Sequence, residues 1–205
     1  MIAIVDYNVG NSGSIRNMLG HLGVASEITS KHEVIATAEK LILPGVGSFD
    51  TAMRSINALG LDSLLHEAVL KQRKPVLGVC LGMQLMTRCS EEGSRPGLGW
   101  IDGQTVKFRF CAETYRLRVP HMGWNVSKPL RDSPIWTEVP HPARFYFLHS
   151  YHVQCNNPAD ALCVTDYGFP FVSAFARDNI FGVQFHPEKS HKCGMALLKS
   201  FAQYA

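Results

Sequence analysis

Short apolar runs separated by helical patterns occupy the first half of the chain. Strands are predicted over residues 2–6, 24–28, 40–44 and 75–79, with one helix over 14–22, closed by Gly23, and two between 49 and 71. Runs rich in Val, Ile and Leu, without polar alternation, are typical of strands buried on both faces of a parallel sheet. Because parallel crossovers are right-handed, this order predicts an α/β fold with a doubly wound, mainly parallel sheet and flanking helices.

The second half carries strand-like pieces punctuated by Pro and Gly. They lie at 104–110, 116–119, 124–127, 145–148, 163–166, 172–177 and 180–185, and a final helix is predicted over 194–203. Such pieces indicate an antiparallel elaboration of the sheet. With 205 residues, 46% of them hydrophobic and 18% charged, we expect residues 1–205 to form a single domain with its own core.

Charge and composition argue against several classes of partner. The formal net charge is only +3 and the basic residues are scattered, so we expect no nucleic-acid partner. The opening MIAIVDYNVG has neither a basic leader nor a long apolar stretch, so we expect no membrane association and a cytoplasmic location. His186, His191 and Cys193 resemble a metal set but lack a fourth partner, so no metal or other cofactor is expected.

The segment GVCLG, residues 78–82, follows an apolar strand and precedes a predicted helix over 83–88. This is the spacing of a nucleophile elbow, in which the central residue sits on a strained strand-to-helix turn. A thiol at Cys80 would face the helix amino terminus, which favours the thiolate. From the residues alone, a small buried core cysteine is an equally good interpretation.

A cysteine nucleophile needs a base, and His186 is the best placed of nine histidines. It follows the predicted strand 180–185, so it can lie at the carboxyl edge of the sheet, where open α/β sheets build their sites. Glu188 is two residues further on, and in extended backbone its carboxylate can orient the imidazole. The alternative is a solvated His-Pro-Glu turn.

Two glycine-containing segments end predicted strands. In PGVG, residues 44–47, the glycines allow backbone amides to point at a developing oxyanion, although the segment could also be a simple turn. The segment GNSGS, residues 10–14, is neither a P-loop nor a dinucleotide fingerprint. We therefore expect Ser12 or Ser14 to cap the first helix.

Together these pieces make the sequence resemble the class I glutamine amidotransferases, and among them the glutaminase subunits of imidazole glycerol phosphate synthase. The resemblance runs from the opening IVDY to the closing helix. The matching segments are LPGVGSF (43–49) with AM (52–53), GVCLGMQLM (78–86), SEEG (90–93), PHMGWN (120–125), FYFLHSY (145–151) and GVQFHPEKS (182–190). Asn8 stands where the resembled family more often has glycine.

The resemblance implies a role for each matched residue. Cys80 would attack the side-chain amide of glutamine, His186 would move the protons, and Glu188 would hold His186. A γ-glutamyl thioester would form, ammonia would leave, and water would release glutamate. The implied oxyanion and substrate-binding residues are Gly45, Val46, Gly47, Leu81, Gln84, Glu92, Ser150 and Tyr151.

The resemblance also implies a partner that uses the ammonia. In the resembled family this is a (β/α)8-barrel cyclase that produces imidazole glycerol phosphate and an aminoimidazole carboxamide ribotide in histidine biosynthesis. Trp124 and Lys189 would lie at its interface. Because the glycines in residues 45–47 make that strand flexible, we expect the isolated subunit to have low activity.

Three alternatives stay open on the sequence. A sister subunit could supply ammonia to a sugar amidotransferase in surface polysaccharide synthesis, since such subunits share the quoted motifs. A cysteine peptidase or γ-glutamyl hydrolase could use the same elbow cysteine and distant histidine. A catalytically inactive binding subunit is the third, although the intact Cys80, His186 and Glu188 argue against it.

Overall fold

Strands and short helices alternate in the computed structural model, which describes residues 1–110 and 117–204. The strands are β1 (Ile2–Val5), β2 (Ser26–Thr29), β3 (Lys40–Leu43), β4 (Val76–Val79), β5 (Cys89–Ser90), β6 (Gly103–Lys107), β7 (His121–Val126), β8 (Lys128–Pro129), β9 (Arg144–His149), β10 (Tyr151–Cys155), β11 (Ala161–Asp166), β12 (Pro170–Arg177) and β13 (Ile180–Val183). The helices are α1 (Ser12–His21), α2 (His32–Thr37), α3 (Phe49–Ala58), α4 (Leu61–His66), α5 (Leu81–Leu85) and α6 (His191–Gln203). A π-helical turn, Glu67–Lys71, follows α4, and 3-10 turns cover Pro134–Trp136, Pro158–Asp160 and Pro187–Lys189.

The main sheet is parallel over its first five strands and antiparallel over the next three, with a last short parallel pair between β6 and β5. Its order is β2-β1-β3-β4-β13-β12-β10-β6-β5, with β11 and β8 joined to it beside β12. Strands β2, β1, β3, β4 and β13 are mutually parallel, whereas β12, β10 and β6 follow in antiparallel pairings. The predicted mainly parallel sheet with an antiparallel elaboration is confirmed. Strands β7 and β9 form a separate antiparallel pair.

Alternate residues of the first strand face opposite layers of helices. Ile2 and Ile4 pack into a core with residues of α1 and α6, and Ala3 and Val5 pack into a second core with residues of α2, α3 and α4. Successive side chains of a strand point to opposite faces, so a strand buried on both faces must be apolar throughout. This packing confirms the doubly wound arrangement.

The first loop differs from the sequence prediction. Neither Ser12 nor Ser14 caps α1: both lie inside the helix, Asn11 occupies the N-cap position, and its side chain makes no capping hydrogen bond. Instead, the Ser14 hydroxyl donates to Asn11 Oδ1 at 2.9 Å, and Asn11 Nδ2 donates to Glu188 Oε1 at 3.5 Å. Asn8 has φ 63°, the left-handed conformation that glycine adopts freely and asparagine tolerates.

Some elements of the structure were not predicted, and some predicted elements differ from those observed. Helix α2 and strand β10 were not predicted; β10 has two adjacent buried residues, His152 and Val153, so no alternation marks it. The strand predicted over 116–119 is wrong at residues 117–119, which form an irregular, bent segment, while Arg116 lies outside the described residues. The helix predicted over 83–88 is α5, which begins at Leu81 and ends at Leu85.

Candidate active site

Cys80 lies at the turn between β4 and α5. Its backbone has φ 55° and ψ −109°, a strained conformation for a residue with a side chain. The Cys80 amide donates to Val183 O at 2.8 Å on the neighbouring strand β13, while Met83 and Gln84 donate to the Cys80 carbonyl. These hydrogen bonds stabilise the strained turn and produce the predicted elbow.

The two glycines of the elbow are required by lack of space. A Cβ atom at Gly82 would lie 1.7 Å from Leu43 O, and one at Gly78 would lie 2.7 Å from Met83 N. Both close neighbours are backbone atoms that cannot turn aside. The glycines therefore let α5 approach β3 and β4 closely enough to hold the turn.

His186 follows β13, the strand adjacent to β4, so Cys80 and His186 emerge at the carboxyl ends of neighbouring parallel strands. The His186 amide donates to Tyr146 O at 2.9 Å, which ties this segment to β9. Nδ1 of His186 lies 2.9 Å from Glu188 Oε1, and both side chains are almost fully buried. His186 has the predicted extended backbone, with φ −100° and ψ 96°. The chain then enters a 3-10 turn, Pro187–Lys189, from which the Glu188 carboxylate contacts the imidazole.

The environment of His186 favours its protonated form. Burial alone lowers the pKa of the imidazole, but the adjacent Cys80 sulfur and the hydrogen-bonded Glu188 carboxylate raise it from 6.5 to about 10. Nε2 of His186 is buried without a hydrogen-bond partner among the described residues. Since Nδ1 is held by Glu188, Nε2 is the nitrogen free to exchange a proton.

The raised pKa of His186 predicts a pH-dependent contribution of Glu188 to stability. Because the folded-state pKa lies above the ordinary value, the interaction stabilises the protein fully below about pH 6.5 and is lost as the pH rises through about 10. Urea unfolding of Glu188→Gln should therefore show a larger loss of stability at about pH 6 than at about pH 9. Glu138→Gln, which breaks the partly exposed pair with Lys199, is the matched control and should show little difference. An equal loss at both pH values for Glu188→Gln would contradict the assigned charge state.

Most of the predicted site residues line one cavity of about 260 Å³. Those that do are Val46, Gly47, Cys80, Leu81, Gln84, Glu92, Ser150, Tyr151 and His186. Gly45 and Glu188 lie behind this lining, where Gly45 packs against the elbow and Glu188 holds His186. The fold thus brings the distant segments of the predicted site together.

The backbone amide of Leu81, one of the expected oxyanion donors, has a partner in this structure. It donates to Gly45 O over a long 3.4 Å contact. Gly47 has φ 113°, which a residue with a side chain rarely adopts, so the backbone conformation of residues 45–47 depends on glycine at this position.

Gln84 and Glu92 are held by the protein itself. Gln84 Nε2 donates to Tyr151 O at 3.1 Å and to Gln184 Oε1 at 3.0 Å, which engages both amide hydrogens. Glu92 Oε2 accepts from the Phe49 amide at 2.9 Å. The Gln84 amide oxygen and the second oxygen of Glu92 are therefore the atoms that can meet a ligand.

Four residues of the site were not singled out from the sequence. Pro120, Leu148 and His149 line the cavity, and Gln184 lies behind it with its Nε2 atom 3.8 Å from the Cys80 sulfur. Burial lowers the pKa of His149 well below 6.5, so the imidazole is neutral. Each lies in a motif quoted above, but nothing in a single sequence separates it from its neighbours.

The residues expected to contact a partner lie on one exposed region beside the site. Trp124 is 42% exposed and stacks on His191 with ring centroids 5.3 Å apart. The Lys189 ammonium lies 5.6 Å from the centroid of the Tyr146 ring. Met122, two residues before Trp124 on β7, is 62% exposed. Exposed aromatic and methionine side chains are enriched at protein interfaces.

Metal ligands and membrane spans were also searched for in residues 1–110 and 117–204. No group of three or more His, Cys, Asp or Glu side chains is placed to hold a metal ion there. No helix in this part of the chain is long and apolar enough to cross a bilayer.

Comparison with known proteins assigns the chain to a family. The glutamine amidotransferase class-I family profile matches residues 3–203. The chain belongs to this family. Relatives that match it over their full or nearly full lengths include imidazole glycerol phosphate synthase subunit HisH 2 from Methanococcus maripaludis, 48% identical over 100% of both chains. The protein of the same name from Pseudomonas aeruginosa is 49% identical over 99% of both.

The fold agrees with solved class-I amidotransferases. A glutamine amidotransferase from Thermotoga maritima superposes with a TM-score of 0.68 at 14% identity, covering 98% of this chain and 95% of that one. At this low identity the comparison supports the fold alone. Membership in the class-I family makes the chain a glutamine amidotransferase.

Proposed function

We propose that this chain is a single glutaminase domain, residues 1–205, that hydrolyses glutamine to glutamate and ammonia in the cytoplasm with Cys80, His186 and Glu188 as its catalytic triad. The observation that carries the proposal is the elbow cysteine lining the same cavity as a histidine whose far nitrogen is held by a buried carboxylate. A nucleophile, a base and a group that orients the base are the three parts that acyl transfer requires.

The reaction follows from this arrangement. The Cys80 thiolate attacks the side-chain carbonyl carbon of glutamine, and the carbonyl oxygen gains the charge. His186 donates its Nε2 proton to the amide nitrogen, the carbon–nitrogen bond breaks, and ammonia leaves a γ-glutamyl thioester. His186 then takes a proton from water, which attacks the thioester and releases glutamate. Glu188 keeps the imidazole oriented throughout.

The cavity offers suitable contacts for free glutamine. The oxygen of Glu92 that is not engaged with Phe49 can pair with the α-ammonium group of the substrate. The backbone of Ser150 and Tyr151 and the amide oxygen of Gln84 can bind its polar groups. The amides of residues 45–47 and Leu81 would bind the developing oxyanion.

The ammonia would pass to a second protein. We propose that this is the (β/α)8-barrel cyclase of imidazole glycerol phosphate synthase, so that the chain serves histidine biosynthesis as the glutaminase subunit. Support comes from the two relatives named HisH 2, which match the whole chain at nearly half identity. The exposed region around Trp124 and Lys189 is the proposed interface.

A second candidate keeps the chemistry and changes the ammonia acceptor. A sister subunit could supply a sugar amidotransferase in surface polysaccharide synthesis. Both candidates use the same proposed triad and the same cavity, so only the acceptor protein separates them.

Glutamate release should depend on the acceptor protein. Because the Leu81 amide already contacts Gly45 O, we expect the isolated chain to turn over slowly and its partner, with ligand bound, to accelerate it by roughly a hundredfold. Glutamate should be measured with each of the two acceptor types present in turn.

The outcome identifies the acceptor. Stimulation by the cyclase selects the histidine pathway, and stimulation by the sugar enzyme selects the second candidate. Equal rates with and without either acceptor would contradict the partner dependence, and peptide cleavage without glutamate release would overturn the glutaminase proposal.

A further inference from the structure

Gln184 contacts the proposed nucleophile but does not line the cavity. Its side chain is completely buried, and its Nε2 atom lies 3.8 Å from the Cys80 sulfur. Gln184 comes directly after β13, two residues before His186, and its backbone amide donates to Ser173 O at 2.9 Å on β12. The residue is thus fixed to the antiparallel part of the sheet while its carboxamide contacts the reacting sulfur.

The hydrogen bonds around Gln184 fix the orientation of its carboxamide. Tyr151 O can only accept, so the nitrogen of Gln84 must face it, 3.1 Å away. The other hydrogen of that nitrogen reaches Gln184 Oε1 at 3.0 Å. The oxygen of Gln184 therefore points at Gln84, and its nitrogen points at the sulfur.

A third residue, His149, holds the Tyr151 carbonyl at which these hydrogen bonds begin. His149 is neutral because burial lowers its pKa, and its Nδ1 lies 2.7 Å from Tyr151 O. Since the carbonyl accepts, Nδ1 carries the hydrogen. Tyr151 O thus accepts hydrogen bonds from both His149 and Gln84. A series of hydrogen bonds of fixed direction then runs from this carbonyl through Gln84 and Gln184 to Cys80.

We propose that Gln184 is a further catalytic residue that donates a hydrogen bond to the Cys80 thiolate, and that Gln84 is the positioning residue that aims its amide. The inference rests on the proposed role of Cys80 as nucleophile. A donor stabilises an ionised acceptor more strongly than a neutral one, so the contact favours the thiolate over the thiol. Helix α5 has only five residues and aligns few peptide dipoles, so its amino terminus stabilises a thiolate weakly. A side-chain donor such as Gln184 therefore contributes more of the stabilisation.

Other titratable groups surround the sulfur, and the test must separate their effects from that of Gln184. Those that line the cavity are His149, Tyr151, Glu92 and His186, with Glu188 behind His186 and the buried Tyr7 hydroxyl behind the elbow. None of them is altered when Gln184 is replaced by a residue of similar shape.

The experiment is to replace Gln184 by methionine, which keeps the length of the side chain and removes the donor. The rate of iodoacetamide alkylation at Cys80, followed by mass spectrometry across a pH series, reports the pKa of this thiol without glutamine or a partner. We expect the midpoint to rise by about one pH unit and kcat with the partner to fall roughly tenfold. Gln84→Met should produce a rise of similar size, and the double variant should add little because both substitutions act on one hydrogen bond.

Ser173→Ala is the matched control, since it removes a buried hydrogen bond to Ser127, the residue between β7 and β8, without touching the sulfur. It should lower the melting temperature and leave the alkylation midpoint unchanged. An unchanged midpoint in folded Gln184→Met, or equal midpoint shifts in Gln184→Met and Ser173→Ala, would overturn the inference. If Gln184→Met does not fold, an unchanged midpoint in Gln84→Met overturns it. If the midpoint shifts in Gln184→Met but the native protein with its partner releases no glutamate, the proposed function fails and this inference stands.

Discussion

Replacing Cys80 by alanine should abolish glutamate release in the presence of the partner, lowering kcat by at least about a thousandfold. Without the sulfur no thioester can form, and no other described cysteine lines the cavity. The rate should be measured by glutamate production at saturating glutamine. The melting temperature should change little, because a single buried sulfur atom is lost from a strained position.

Cys89→Ala is the control for this substitution. Cys89 is an exposed thiol on β5, outside the cavity, so its loss should leave the rate unchanged. Residual glutamate release in Cys80→Ala within a few fold of the native rate would exclude Cys80 as the nucleophile.

Replacing Gly82 by alanine should prevent formation of the native elbow. The added Cβ would sit 1.7 Å from Leu43 O, so α5 or β3 must move, and both belong to the central core. We expect a loss of at least about 4 kcal/mol, enough to unfold many domains, because overpacking against backbone cannot be relieved by rotation of a side chain. Urea unfolding and the yield of folded protein are the measurements.

Gly20→Ala provides the matched control within α1. Nothing lies within 4 Å of a Cβ at this position, so alanine should stabilise the helix by up to about 1 kcal/mol. A Gly82→Ala protein with native stability would show that the close approach of α5 to β3 is unnecessary.

The sequence predicted the parallel half of the fold well and the remainder less well. Strands such as Ile2–Val5 and Val76–Val79 are apolar throughout, which marks them as buried on both faces. The antiparallel pieces are shorter and mix polar with apolar residues, as in Tyr151–Cys155, so their existence depends on pairing with distant strands. Local pattern carries no information on that pairing.

The candidate site was predicted as a set of residues but not as a geometry. The elbow spacing selects Cys80, and the position of His186 after an apolar strand places it at the carboxyl edge of the sheet. The structure adds that β4 and β13 are neighbours, which brings Cys80 and His186 together. The engaged amide hydrogens of Gln84, the contact of Leu81 N with Gly45 O and the role of Gln184 depend on tertiary contacts. The capping role assigned to Ser12 or Ser14 failed because the helix begins one residue after Asn11.

Covalent labelling tests the central claim most directly. The native protein with its partner should be treated with a diazo-ketone analogue of glutamine, and the modified peptide should be located by mass spectrometry. We predict stoichiometric modification at Cys80, complete loss of glutamate release, and no labelling of Cys80→Ala. Modification at another residue, or glutamate release that persists after Cys80 is fully labelled, would contradict a thioester mechanism at this site.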